Sequence, residues 1–295
     1  MRLIPISFML LTVVVLLTMF MMGGMTRIYA WNSLEYLALV GMASLIVVGI
    51  YAVVRRKFNW LMASTLLLAL ACLAPVIRML VKPMAYPSTL GNTKPSATVR
   101  LPANVPLKVG WGGDKIETNY HAITADQRWA YDLLVAPYAI GSTKLEDYGC
   151  YGIPVLAPSS GIVVKAHDGE PNEKPGAPSH NFKAPTGNHV VIRLEETRTY
   201  LVIAHLKPGS VSVKTGEAVV EGQLIGECGN SGNTSEPHIH IHHQRQDPNF
   251  YPLNYAEGLP LYFRDHDGRP MPEGGFKEEG GKIILTGDTV QHIGK

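Results

Sequence analysis

Cysteine is scarce in this chain: Cys72, Cys150 and Cys228 are the only three in 295 residues. The two beyond the first third stand far apart, which excludes a zinc-ribbon spacing. Charge is scarce too, at 17% of residues. The first 82 residues hold a single acid, Glu35, against Arg2, Arg27, Arg55, Arg56, Lys57, Arg78 and Lys82. The net +2 therefore averages a basic amino-terminal region and a mildly acidic remainder. No basic patch is clustered enough for a nucleic-acid surface, so no nucleic-acid partner is expected. Long helical periodicity is missing beyond residue 107, and so is an H-E-x-x-H helix with its glutamate base. The glycine-rich "GECGNSGNTSEP" lacks the lysine and following helix of a phosphate loop, and reads instead as a tight β-connection.

What the sequence has in quantity at its start is apolar length. Residues 6–22, 36–54 and 61–81 are nearly uncharged runs of the length that crosses a bilayer. Arg55, Arg56 and Lys57 follow the second run, and this positive charge marks the loop as cytoplasmic. Arg2 then lies inside, a short loop around Trp31 outside, and everything after Val81 outside. Cleavage of the first run as a signal peptide would leave that topology unchanged. Residues 1–82 thus read as a three-span membrane region in contact with lipid. Residues 83–106, rich in proline, serine and threonine, read as a tether.

From residue 107 short apolar runs are broken by Gly, Pro, Asn and Asp, an all-β pattern. Candidate strands are 107–111, 129–135, 161–166, 189–194, 199–206, 223–227 and 238–242. In the last of them, "SEPHIHIHHQ", alternation puts His238, His240 and His242 on one face and Ile239 and Ile241 on the other. Histidines at this spacing converge on one ion more readily than a lone histidine does. Asp132, set among apolar residues in "WAYDLLV", needs an ion partner such as Arg128 or a metal. His205 ends the strong β-run "TYLVIAHL", and His121 precedes Asp132 by eleven residues. His242, His243, His266 and His292 read as structural. Cys150 and Cys228 fit either a disulfide outside the cytoplasm or two buried thiols.

The run "VKTGEAVVEGQLIGECGNSGNTSEPHIH", together with "AHL" at 204–206 and "PVLAPSSGIVV" at 154–164, resembles the lysostaphin/LytM-type zinc metallopeptidases. The likeness covers residues 107–257 and implies a hydrolase of peptide bonds in bacterial cell-wall peptidoglycan. It implies an all-β catalytic domain of the duplicated-hybrid-motif type, with antiparallel sheets and a central groove, here preceded by three transmembrane helices. Residues 258–295 would be a β-like appendage.

Carried over by position, the resemblance makes His121, Asp132 and His240 the ligands of one zinc per domain, and His205 and His238 the catalytic histidines beside it. The family's usual first pair is H-x-x-x-D, so the longer spacing from His121 to Asp132 is a departure, with Asn119 and His242 as substitutes. Two imidazoles and a carboxylate leave a tetrahedral zinc one open position, as catalytic sites do. The implied protein is a metalloprotease of the cytoplasmic membrane with its catalytic domain outside, acting on a peptidoglycan peptide. A non-catalytic module of the same fold that regulates other wall enzymes is the competing reading. A biotinyl or lipoyl carrier is disfavoured, because it needs a modified lysine in a hairpin.

Overall fold

A computed structural model describes residues 3–294, with side chains described from Leu10 onward. The chain forms two compact units, Met1–Ser88 and Thr89–Lys295. The first holds α1 (Leu3–Met21), α2 (Gly24–Arg55) and α3 (Trp60–Val81). Helices form because uninterrupted apolar side chains leave the backbone to satisfy its own hydrogen bonds. Asn59 caps α3, its side chain accepting from the Met62 N–H at 3.0 Å. Where α2 meets α3 at Gly41, a Cβ would lie 2.7 Å from the Ala69 carbonyl, so only glycine permits the approach.

Two expectations change in this unit. Among the described residues two helices, α2 and α3, are long and apolar enough to cross a membrane, rather than three. The described apolar part of α1, Leu10–Met21, falls short of the roughly 20 residues a crossing takes. The loop expected around Trp31 does not exist either: α2 runs through it for 32 residues. Trp31 is buried and meets Tyr86 edge-on at 5.5 Å. A glycine-flanked turn can be so short that hydropathy alone mistakes the polar first turns of the next helix for a loop. Arg2 lies outside the described residues.

The second unit is the β domain. Its strands are β1 (Ala97–Val99), β2 (Leu107–Trp111), β3 (Tyr131–Leu134), β4 (Pro154–Leu156), β5 (Gly161–His167), β6 (Asn188–Arg193) and β7 (Tyr200–Leu206). They continue with β8 (Ala218–Val219), β9 (Leu224–Glu227), β10 (Ile239–Gln244), β11 (Leu261–Phe263), β12 (Phe276–Glu279), β13 (Lys282–Leu285) and β14 (Thr289–Val290). Eight make one antiparallel sheet in the order β14-β2-β3-β10-β7-β6-β5-β8, and three two-strand pairs surround it. On one face Val109, Tyr131, Leu133, Val190, Ile192, Leu201, Ile203, Ile239 and Ile241 build the core, all fully buried. The other face carries the histidines, as period-2 alternation requires.

The ends of the domain are more integrated than composition suggests. Within the stretch read as a tether, β1 pairs in parallel with β11, and Val99, Leu101 and Ala103 enter the core. Within the stretch read as an appendage, β14 adds an edge to the main sheet through β2 and buries Val290. Both segments are short and interrupted by proline or glycine, so neither shows periodicity; pairing with distant strands supplies their order. Cys150 and Cys228 form a disulfide with Cα atoms 5.8 Å apart.

Candidate metal centre

Asp132 lies on β3 and His240 on the adjacent β10, directly opposite in the antiparallel register. Cross-strand partners project to the same face with Cβ atoms about 5 Å apart. That register brings the His240 Nδ1 to 2.9 Å from Asp132 Oδ1. The other carboxylate oxygen, Oδ2, is 2.9 Å from Nε2 of His121. His121 comes from a 3-10 turn at Tyr120–Ile123, whose start is held by Asn119. The Asn119 side chain accepts from the His121 N–H and donates to the carbonyls of Gly113 and Ala130. By clamping both ends of the excursion it returns His121 to Asp132 despite their separation in sequence. Asn119, a substitute for His121 on sequence grounds, is thus spent on the backbone.

His205 and His238 complete the cluster. His205, next to last in β7, has a φ of +63°, a left-handed conformation that costs a non-glycine residue of order 1 kcal/mol. Its ring donates through Nδ1 to the Ser231 carbonyl at 2.8 Å. His238 does the same to the Glu236 carbonyl at 2.7 Å. With Nδ1 occupied, each ring presents Nε2 to the centre, and His238 Nε2 is 3.5 Å from Asp132 Oδ1. The two rings lie 4.8 Å apart, and His205 lies 5.6 Å from His240. The ligating atoms of His121, Asp132 and His240 all fall within 4.8 Å of one another, as do those of His205, His238 and His240.

Buried at 6% exposure, Asp132 has no arginine partner among the described residues. Arg128, its expected ion-pair candidate, binds Asp114 instead at 3.0 Å. Burial pushes the Asp132 carboxyl upward, but His121 and His238 overcome it and hold the group well below the usual range. Burial lowers His205 well below an ordinary imidazole, reinforced by His238 and His240. His240 is lowered to about 3, chiefly by burial against an opposing pull from Asp132. For His238 burial also lowers, but Asp132 and the Glu236 carbonyl prevail and raise it to about 9.

His242 is placed behind His240 rather than beside Asp132. Its Nδ1 is 2.9 Å from His240 Nε2, and its Nε2 is 3.0 Å from Gln244 Oε1. The Gln244 amide donates to the Gln246 carbonyl at 2.6 Å. A carbonyl can only accept, so the chain has one direction: His240 Nε2–H donates to His242, and His242 Nε2–H to Gln244. His240 is thereby fixed as the tautomer with its Nδ1 lone pair toward Asp132. His242 read as structural from sequence, yet polar residues at 240, 242 and 244 share one strand face, which was the available signal. Two other residues escaped notice: Trp111, turned toward Asp132 by a β-bulge in β2, and Glu236. Bulges leave no mark on hydropathy.

The donor set fits a zinc ion. Two neutral imidazoles and a carboxylate are zinc donors, and bonds of about 2.0–2.2 Å imply donor separations of about 3.3 Å. Donors now 2.9 Å apart would part by less than about half an ångström to reach that spacing. The cation would also balance a buried carboxylate whose close partners are all imidazoles.

The family model described as Peptidase family M23 matches residues 145–252. Solved structures similar to the chain include the catalytic domain of the prophage-encoded M23 protein EnpA from Enterococcus faecalis, at 16% identity and a TM-score of 0.35, covering 55% of this chain and 93% of that one. The antimicrobial peptidase lysostaphin from Staphylococcus simulans matches at 23% identity and a TM-score of 0.31, with 48% of each chain covered. A zinc-containing peptidase from Vibrio cholerae matches at 18% identity and a TM-score of 0.31, covering 54% of this chain and 39% of that one. The chain thus spans about half of lysostaphin and less of the Vibrio protein. No curated protein matches. The family match contains His205, His238 and His240 but begins after His121 and Asp132. Arg128 stands four residues before Asp132, where the family's H-x-x-x-D form has histidine, and His121 reaches the carboxylate from outside that form.

Proposed function

We propose that this chain, whose residues 145–252 match the model of peptidase family M23, is a membrane-anchored zinc endopeptidase that hydrolyses peptide bonds of bacterial peptidoglycan. The observation that carries the reading is the gathering of five buried side chains, His121, Asp132, His205, His238 and His240, into two close-packed triads that share His240. His121 Nε2, an Asp132 oxygen and His240 Nδ1 would hold the metal. Zinc held by three protein donors acidifies a water and polarises a carbonyl.

The chain's own part is proton handling and position. His205 and His238 each keep Nδ1 on a backbone carbonyl, which holds the rings in place and leaves Nε2 for the centre, where that of His238 lies 3.5 Å from Asp132 Oδ1. One Nε2 accepts the proton of the attacking water; the other, as imidazolium, donates toward the carbonyl oxygen or the leaving amine. Imidazole titrates in the range that makes both exchanges fast. His240 is kept from turning by the His242–Gln244 chain, and Asp132 by its strand pairing with His240.

The β domain would work outside the cytoplasm. The supporting features are Arg55, Arg56 and Lys57 at the α2–α3 turn, the apolar surface of the helices, where Val47, Val53 and Leu80 are exposed, and the disulfide, which persists in oxidising compartments. The decisive test pairs zinc content with digestion of purified peptidoglycan. Asp132→Ala and His240→Ala should lose zinc and activity together. His205→Ala and His238→Ala should keep zinc while the rate falls about 100- to 10,000-fold. If the latter two digest peptidoglycan at the parent rate, or the parent binds no zinc, the enzyme reading gives way to a non-catalytic module.

A further inference from the structure

A groove with a volume of about 310 Å³ opens beside Asp132 and His238, and its walls have a chemistry the hydrolytic step does not use. One side is aromatic. Trp111 meets Tyr120 edge-on at 5.1 Å and Phe276 at 4.6 Å, and all three rings line the groove. Glu236 lines the same groove. Among the described residues it has neither an ion pair nor a side-chain hydrogen bond, and no lysine or arginine lines the groove. Glu236 is not held there by accident of a loose loop. Its carbonyl accepts from His238 Nδ1 at 2.7 Å and from the Thr234 hydroxyl at 3.0 Å, and Pro237 fixes the next φ. Its charge reaches both Tyr120 and His238.

A carboxylate without an ion pair in a groove lined by three aromatic rings can receive an organic cation, because ring faces and carboxylate attract the same charge. Asp132 is the only other acid lining the groove, and as a metal ligand its charge would be spent on the ion. That leaves Glu236 as the other carboxylate a substrate meets in the groove, beside the His238 ring. We infer that Glu236, with Trp111, Tyr120 and Phe276, forms a subsite for a protonated amine of the substrate peptide, so that the enzyme selects peptides carrying an ammonium group beside the bond it cuts. This rests on the zinc peptidase reading and adds the substrate class to it.

The test uses the full chain, zinc-loaded, in lipid nanodiscs, with three synthetic peptides of one sequence. In the first both the terminal and the side-chain amine are free; in the second the terminal amine is acetylated; in the third the side-chain amine is. Competition between peptides in one tube gives a kcat/KM ratio for each pair. The parent should prefer the fully free peptide over one of the acetylated forms by about ten-fold, the size of one cation–aromatic and carboxylate contact. Which form is disfavoured identifies the amine. In Glu236→Gln that ratio should fall toward one, with zinc content unchanged.

A parent indifferent to acetylation, or a preference that survives in Glu236→Gln, overturns the subsite. So does an equal loss on every peptide in Glu236→Gln, which would make Glu236 a proton-transfer group. If no peptide is cut at all, the function fails separately, and the subsite is read by calorimetric binding of the same peptides to parent and Glu236→Gln. Tighter binding of a free amine that disappears with the carboxylate supports it; equal binding refutes it.

Discussion

Single side chains at this centre do two different things, and the hydrogen bonds separate them. Nδ1 of His205 and of His238 is committed to a carbonyl, whereas His240 uses Nδ1 on Asp132 and gives its other nitrogen to His242. Partners behind a ligand are worth about 10- to 100-fold in metal affinity. His242→Phe should therefore weaken zinc binding by about that factor, measured by chelator competition, while His242→Gln, which retains an acceptor, recovers part of it. Equal affinities in all three proteins would reduce His242 to packing. Other buried histidines bear on acid stability. Burial lowers His189 to about 4, opposed by its bond to the Gly187 carbonyl, and lowers His243 to about 4, opposed by the Pro260 carbonyl. Both stay neutral when folded while the unfolded chain takes up protons near pH 6.5, so stability is intact above that pH and drains as pH falls from about 6.5 to 4. The loss is on the order of a few kcal/mol. His189→Gln, which cannot titrate, should flatten the fall in denaturant midpoint across that window; an unchanged slope would contradict the assignment.

Strands explain why these side chains meet at all. A slip of one residue between β3 and β10 would turn Asp132 or His240 into the core, and Ile239 and Ile241 against Leu133 and Tyr131 forbid it. The apolar face therefore sets the geometry of the polar one. The β1–β11 pair works on the same principle at the edge. Leu101, two residues beyond β1, is fully buried. Leu101→Ala should cost about 2–5 kcal/mol of the β domain's stability by chemical denaturation. A cost below about 0.5 kcal/mol, the usual size of a surface substitution, would return this segment to the role of a tether.

At the scale of the whole molecule, a helical unit with exposed apolar side chains and a β domain with a polar working face share one chain. Membrane attachment of the first would confine the second to within reach of the bilayer surface. If Arg55–Lys57 lie inside, as proposed, the carboxyl terminus would be outside. A reporter that functions only in the cytoplasm, fused after Lys295, should be silent, and a periplasm-dependent one active; the reverse pattern would invert the topology.

Much of this was legible in the residues. Alternation in "HIHIHHQ" set the strand and its chemical face, and 107–111 and 199–206 fall on β2 and β7 within a residue, because local period reports local structure. The resemblance carried by 204–240 points to the family whose model matches residues 145–252. The sequence also determined that residues 36–54 and 61–81 are long and apolar enough to cross a membrane, though not that Trp31 sits inside a helix. Tertiary structure alone decided the rest. Whether His121 reaches Asp132 depends on Asn119 closing a loop through Gly113 and Ala130, contacts no local pattern encodes. Pairing of Cys150 with Cys228, the burial of Val99 and Leu101, and the turning of Trp111 toward Asp132 likewise follow from partners distant in sequence. Local period fixes which face a side chain is on; only the packing of remote segments fixes what it meets there.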